Sequence, residues 1–187
     1  MVDKILIEKV RQFVEGECMK PGAKYGHEAY RFHFVPVVNY SRILAEAVGA
    51  DLEIIELAAW LHDIGSIVCG RENHHVTSCE IAERKLREFG CGEDLIGRVK
   101  HCIFAHRGSQ NIFRESVEAE ILAEADSMSH FDDIGGLFKA AYVVEGMSHD
   151  EARESVRSKL INSFAKLSED AKKVIKPKFE AAMLLLD

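Results

Sequence analysis

A chain of 187 residues that is 47% hydrophobic and 29% charged can build one substantial core, and nothing in its make-up suggests disorder or fibre. Its formal net charge of −7 argues against a nucleic-acid strand or an anionic membrane as partner, since either would want a basic face. Five cysteines, odd in number and with no CxxC pair, exclude a disulfide framework or zinc ribbon and read as reduced thiols of a cytoplasmic protein.

The N-terminus is charged and lacks the apolar h-region of a signal peptide, and no apolar run approaches the ~18 residues that span a bilayer. No segment sustains two-residue alternation, so the dominant period is helical. Residues 3–19 place Ile5, Leu6, Val10, Phe13 and Val14 on one stripe, ended by Pro21 and Gly22. A second helix is expected over roughly 30–48, closed by Gly49, with Pro36 confined to its first turn. Asp51 looks like the N-cap of a helix over 52–63 that Gly65 terminates, and residues 66–73 read as a loop.

Further helices are expected at about 75–89, ended by Gly90, at 93–106, ended by Gly108, and at 115–131. Gly135 and Gly136 should break or bend the chain beyond that helix. Ser148 and Glu151 form a capping box opening a helix to about 167. Ser168 opens the last helix, which Pro177 should kink or split. No repeat or linker is present, so the expected fold is all-α, one domain over 1–187 with its core in about 25–135 and the terminal helices packed around it.

All nine histidines lie between residues 27 and 149. The sharpest signal is His62-Asp63, at the end of the apolar run Leu57-Ala58-Ala59-Trp60-Leu61. An acid at a helix C-terminus is on the wrong side of the helix dipole and needs a compensating cation. Imidazole nitrogen beside carboxylate oxygen suits Mn, Fe, Co, Ni, Zn or Mg. A single ion needs more ligands than this pair, so partners must come from other helices.

Three segments in order resemble the HD-domain superfamily of metal-dependent phosphohydrolases: Tyr30-Arg31-Phe32-His33-Phe34 before Val37 and Val38, then His62-Asp63, then Ala123-Glu124-Ala125-Asp126-Ser127. The resemblance covers roughly 25–135 and implies an all-α bundle with the metal site between its central helices. It implies that His33, His62, Asp63 and Asp126 bind one divalent ion, with His33 preferred over its neighbour His27. Six-ligand members of the superfamily hold two ions. Here His74, with Ser78 four residues on, would supply the fourth element in preference to His75, and His106 the fifth in preference to His101. A mononuclear site with His74 and His106 behind it is the alternative.

Many members carry a lysine three residues after HD, which offsets phosphate charge; here that position is Ser66. Arg71, Arg107 and Arg114 are the candidates to replace it, and Arg107 is favoured because it adjoins His106. His130, four residues after Asp126 and so on the same helix face, would orient Asp126 or meet substrate.

The function implied is hydrolysis of a small phosphorylated molecule such as a nucleotide, with Asp63 and Arg107 in catalytic roles. The alternatives are a di-iron oxygenase of the HD type and a non-catalytic metal-binding interaction domain. The apolar stretches 140–144 and 181–186 would pack over the core or form a homodimer interface.

Overall fold

The computed structural model describes residues 2–107 and 112–187; the expected stop at Gly108 lies outside them. The described residues form helices and no strand, and no helix among them is long and apolar enough to cross a membrane. Helix α1 (Lys4–Met19) begins at Asp3, whose carboxylate accepts the backbone N–H groups of Ile5 and Leu6.

A continuous helical path then runs from α2 (Gly26–Ala29) through a π-helical turn (Tyr30–Phe34) into α3 (Val35–Val48). This corrects the expected start near residue 30. Pro36 has no N–H to give the carbonyl one turn back, and its ring crowds that carbonyl. The wider turn before it, in which the Val35 N–H reaches Tyr30 O, accommodates the ring. Gly49 closes α3 in the left-handed region, at φ 75°.

The chain continues as α4 (Leu52–Leu61), α5 (Ile64–Val68), α6 (His74–Glu88), α7 (Glu93–Ala105) and α8 (Val117–Ser129). Then come α9 (Ile134–Lys139) with a second π turn (Ala140–Val144), α10 (His149–Ala165) and α11 (Glu169–Leu186). Helix α4 is the centre of the molecule. Every residue from Ile54 to Leu61 is buried, because α1, α3, α7 and α8 all pack against it. A helix that is apolar all round has to be interior. Its one charged residue there, Glu56, accepts a hydrogen bond from Arg42 of α3.

Some expected breaks are absent. Pro177 lies inside an unbroken α11, and Gly135 and Gly136 fall in the first turn of α9, where Asp133 accepts the Gly136 N–H. The capping box at Ser148 and Glu151 forms as expected.

Gly65 does not end α4. The helix stops at Leu61, and Gly65 sits inside α5, in place of part of the loop expected over 66–73. Glycine is needed there because α6 begins against it. A Cβ at Gly65 would meet Thr77 Oγ1 at 2.2 Å, Ser78 N at 2.7 Å and His74 O at 2.8 Å. The Gly65 N–H also donates to Ser78 Oγ at 2.9 Å. Gly65→Ala should therefore destabilise the fold by about 1–3 kcal/mol in urea unfolding, since backbone atoms must move to admit the methyl group. An unchanged midpoint would show that α6 does not depend on this approach.

Candidate metal centre

Three helix C-termini converge on one point. His62 follows the last residue of α4, His106 follows the last residue of α7, and Asp126 lies in the last turn of α8. Each helix end carries a partial negative charge from its unpaired carbonyls, so the point they surround favours a cation. His33 enters from the π turn before α3, Asp63 from the short link between α4 and α5, and His74 from the first residue of α6.

Hydrogen bonds at the back of each ring aim the four imidazoles. His62 Nδ1 is 2.8 Å from Ala59 O, His74 Nδ1 is 2.8 Å from Arg71 O, and His106 Nδ1 bonds Ile103 O. In each case the carbonyl belongs to the residue three earlier. For His62 and His106 it is one of the carbonyls that a helix end leaves without an N–H. A carbonyl only accepts, so these partners assign the proton to Nδ1 and the lone pair to Nε2. His33 Nδ1 is held by Ser129 Oγ at 3.1 Å, and the Ser129 hydroxyl itself donates to Asp126 O at 2.7 Å. His33 must then be the donor, and its Nε2 too carries a lone pair.

All four Nε2 atoms face the acids. Asp63 Oδ1 lies 3.3 Å from His74 Nε2 and 3.5 Å from His106 Nε2, while its Oδ2 lies 3.6 Å from His33 Nε2. Asp126 Oδ1 is 3.7 Å from His33 Nε2 and 3.9 Å from His62 Nε2. Within the trio His33, His62 and Asp63, and within the trio Asp63, His74 and His106, the ligand atoms lie within 4.8 Å of one another.

These residues fit a divalent cation. Asp63 Oδ1 is buried without a hydrogen-bond partner, which leaves a desolvated charge that a cation would satisfy. His33 Nε2 and His62 Nε2 stand 3.0 Å apart with lone pairs facing, an arrangement that requires a positive centre or a shared proton between them. Nitrogen and carboxylate donors together suit the first-row divalent metals and magnesium.

The electrostatics differ from ring to ring. Burial lowers His62 to about 4 and His130 to about 3, which keeps both rings neutral at physiological pH. For His106 burial lowers the pKa, but the Asp63 carboxylate outweighs it and the net shift is upward. Burial would raise Asp63 and Asp126. The surrounding imidazoles prevail and hold both well below the ordinary carboxylate range, His106 and His33 leading for Asp63 and His130 and His33 for Asp126.

The neighbouring histidines face elsewhere. His27 Nε2 lies 3.5 Å from Glu15, His101 Nε2 accepts the Glu115 N–H, and His75 Nδ1 bonds the Arg107 guanidinium at 2.9 Å. Arg71 pairs with Glu145 at 2.9 Å, and Arg114 donates to Ala105 O. Glu28 pairs with Lys139. Arg107 thus lies against His75, next in sequence to His74. Ser66 is buried.

Two contributors escape sequence reasoning. Ser129 orients His33, and Ser163 of α10 bonds His130 Nδ1 at 2.9 Å while His130 Nε2 sits 3.9 Å from Asp126. A serine has no sequence signal of its own; only its position three residues after Asp126 hints at a role.

An HD domain model matches residues 30–130 of the chain. Ribonuclease Y of Alkaliphilus metalliredigens is 30% identical over 113 residues, which is 59% of this chain and 22% of that protein. The chain thus spans about a fifth of the length of the curated relatives first matched. An HD-superfamily hydrolase from Bacillus thuringiensis superposes with a TM-score of 0.71 at 20% identity, over 96% of this chain and 92% of that one. Bacillus subtilis YpgQ in complex with ADP gives a TM-score of 0.68 at 21% identity, over 96% and 92%.

Buried neutral histidines make the metal-free protein acid-sensitive. His62 and His130 take up protons at an ordinary 6.5 when unfolded but only near 4 and 3 when folded, so the stability they carry is full above pH 6.5 and lost as pH falls towards 4. Each contributes a slope of about 1.4 kcal/mol per pH unit in that window. His106, shifted the other way, offsets part of it. Urea unfolding in chelator at stepped pH should show this loss, and His130→Gln should flatten it; a flat wild-type profile would contradict the assignment.

Proposed function

Since the chain belongs to the HD domain family, we propose that it is a metal-dependent phosphohydrolase of a small phosphorylated substrate such as a nucleotide. The observation that carries this reading is the placement of Asp63. One carboxylate oxygen faces His74 and His106 while the other faces His33, so a single acid is shared between two clusters of lone pairs. In this reading His33, His62, Asp63 and Asp126 hold one divalent ion, and Asp63, His74 and His106 hold a second.

A divalent ion in such a site lowers the pKa of its water towards ~7 and offsets charge gathering on a phosphoryl oxygen. The chain's own residues then supply geometry. Asp63 is held ionised by its histidine neighbours, which makes it a poor base at neutral pH, so its part is to fix the position of the attacking water. His130 and Ser163 keep Asp126 in register from behind, and Ser129 does so for His33. Arg107, beside His106, is the proposed steadying cation from this side of the site.

Support for a small substrate is the net charge of −7, which disfavours a polyanionic strand, together with the ADP held by the structurally similar YpgQ. The ribonuclease Y name belongs to proteins several times longer, and an RNA arm in the assay tests it.

The protein supplied with Mn²⁺, Co²⁺ or Fe²⁺ should release phosphate or pyrophosphate from nucleotides and leave an RNA strand uncut. Asp63→Ala should lose at least about 10²-fold in turnover with its helical spectrum intact. His74→Ala combined with His106→Ala should drop the bound metal from two ions per chain to one. Retained turnover in Asp63→Ala would overturn the mechanism, and oxygen uptake by the iron-loaded protein without phosphate release would replace hydrolysis with the oxygenase reading.

A further inference from the structure

The position after His62-Asp63 that the resemblance would fill with a phosphate-offsetting lysine is here the buried Ser66, yet another helix carries a lysine on the face it turns towards the site. Lys159 lies on α10 one turn before Ser163, hence on the same helix face, and Ser163 is bonded to His130 beside Asp126. Its ammonium lies in the field of both Asp126 and Asp63, and it is one of the charges acting on His130. Among the described residues it makes no hydrogen bond and no salt bridge. Burial is the main influence on it and pushes its pKa down.

Lys159 is half-buried, and a partly desolvated ammonium without a paired carboxylate is an unfavourable arrangement for the fold alone. While the site holds no ion, the two acids attract it. Once a divalent ion neutralises those acids, that attraction is spent, and Lys159 faces a centre with no excess negative charge. The remaining partner that would satisfy it is an anion arriving with the substrate.

We propose that Lys159 is the phosphate-binding cation of this site, supplied by α10 in place of the lysine missing after His62-Asp63, and that it contacts the substrate phosphate which the metal does not hold. The proposal rests on the phosphohydrolase reading. It places the C-terminal helices, outside the matched segment 30–130, in the substrate pocket.

The test is calorimetric titration of inorganic pyrophosphate into the full-length, Mn²⁺-loaded protein, comparing wild type with Lys159→Met and Lys159→Arg, each checked for helical content and bound Mn²⁺. Lys159→Met keeps the length of the side chain and removes the charge. It should weaken pyrophosphate about 10- to 100-fold, the range for a charge-assisted hydrogen bond, with Mn²⁺ content unchanged. Lys159→Arg should lose less than Lys159→Met. Lys159→Met should also unfold at the same or a higher temperature than wild type in the Mn²⁺-loaded state without pyrophosphate, whereas a lysine serving only as a structural counter-charge would lower it. Unchanged pyrophosphate affinity in Lys159→Met would overturn the role of Lys159 and leave the hydrolase reading standing. Failure of the Mn²⁺-loaded wild type to bind pyrophosphate would overturn the hydrolase reading and this proposal with it.

Discussion

The site depends on a hydrogen bond made behind each histidine rather than in front of it. At the ends of α4 and α7 the last carbonyls have no helical N–H to accept, and His62 and His106 fill that vacancy with Nδ1–H. The same bond that finishes the helix fixes the tautomer and turns Nε2 inward. Ser129 does this for His33 and the Arg71 carbonyl for His74. Helix termination and ligand orientation are therefore one interaction, and a change to either helix end would misdirect a ligand without touching it.

Most of what is gathered there is electronegative: three helix C-termini, two carboxylates and four nitrogen lone pairs. Such a centre is strained while empty of positive charge, as the orphaned Asp63 Oδ1 and the opposed His33 and His62 nitrogens record. The fully buried α4 gives this arrangement its rigidity, because a helix enclosed by four others has no freedom to retreat. The close contact of α5 with α6 at Gly65 does the same for His74 from the other side.

Function grows out of that imbalance. The protein presents a place where a divalent ion is favoured by charge, by donor type and by orientation at once, and Lys159 of α10 lies in the field of the same acids. In the function proposed above, a phosphoryl group would bring negative charge for both the ion and the ammonium.

Much of this was legible in the residues themselves. Apolar periodicity and capping residues such as Asp3, Asp51 and Ser148 act within a few neighbours, so they determined an all-α fold and most helix starts. The order of His33, His62-Asp63 and Asp126, each on an apolar helical segment, pointed to the family through local chemistry alone. The amino acids could not show that Gly65 serves a contact with α6 rather than a helix stop, because that depends on a backbone thirteen residues away. They could not show that Pro36 is absorbed by a π turn, that Pro177 leaves α11 unbroken, or that Ser129 holds His33 beside the acids. A lysine or serine carries no periodic or motif signal, and its role exists only once packing brings distant helices together. Sequence by itself determined which side chains could hold a cation; tertiary structure decided how they are aimed and which others join them.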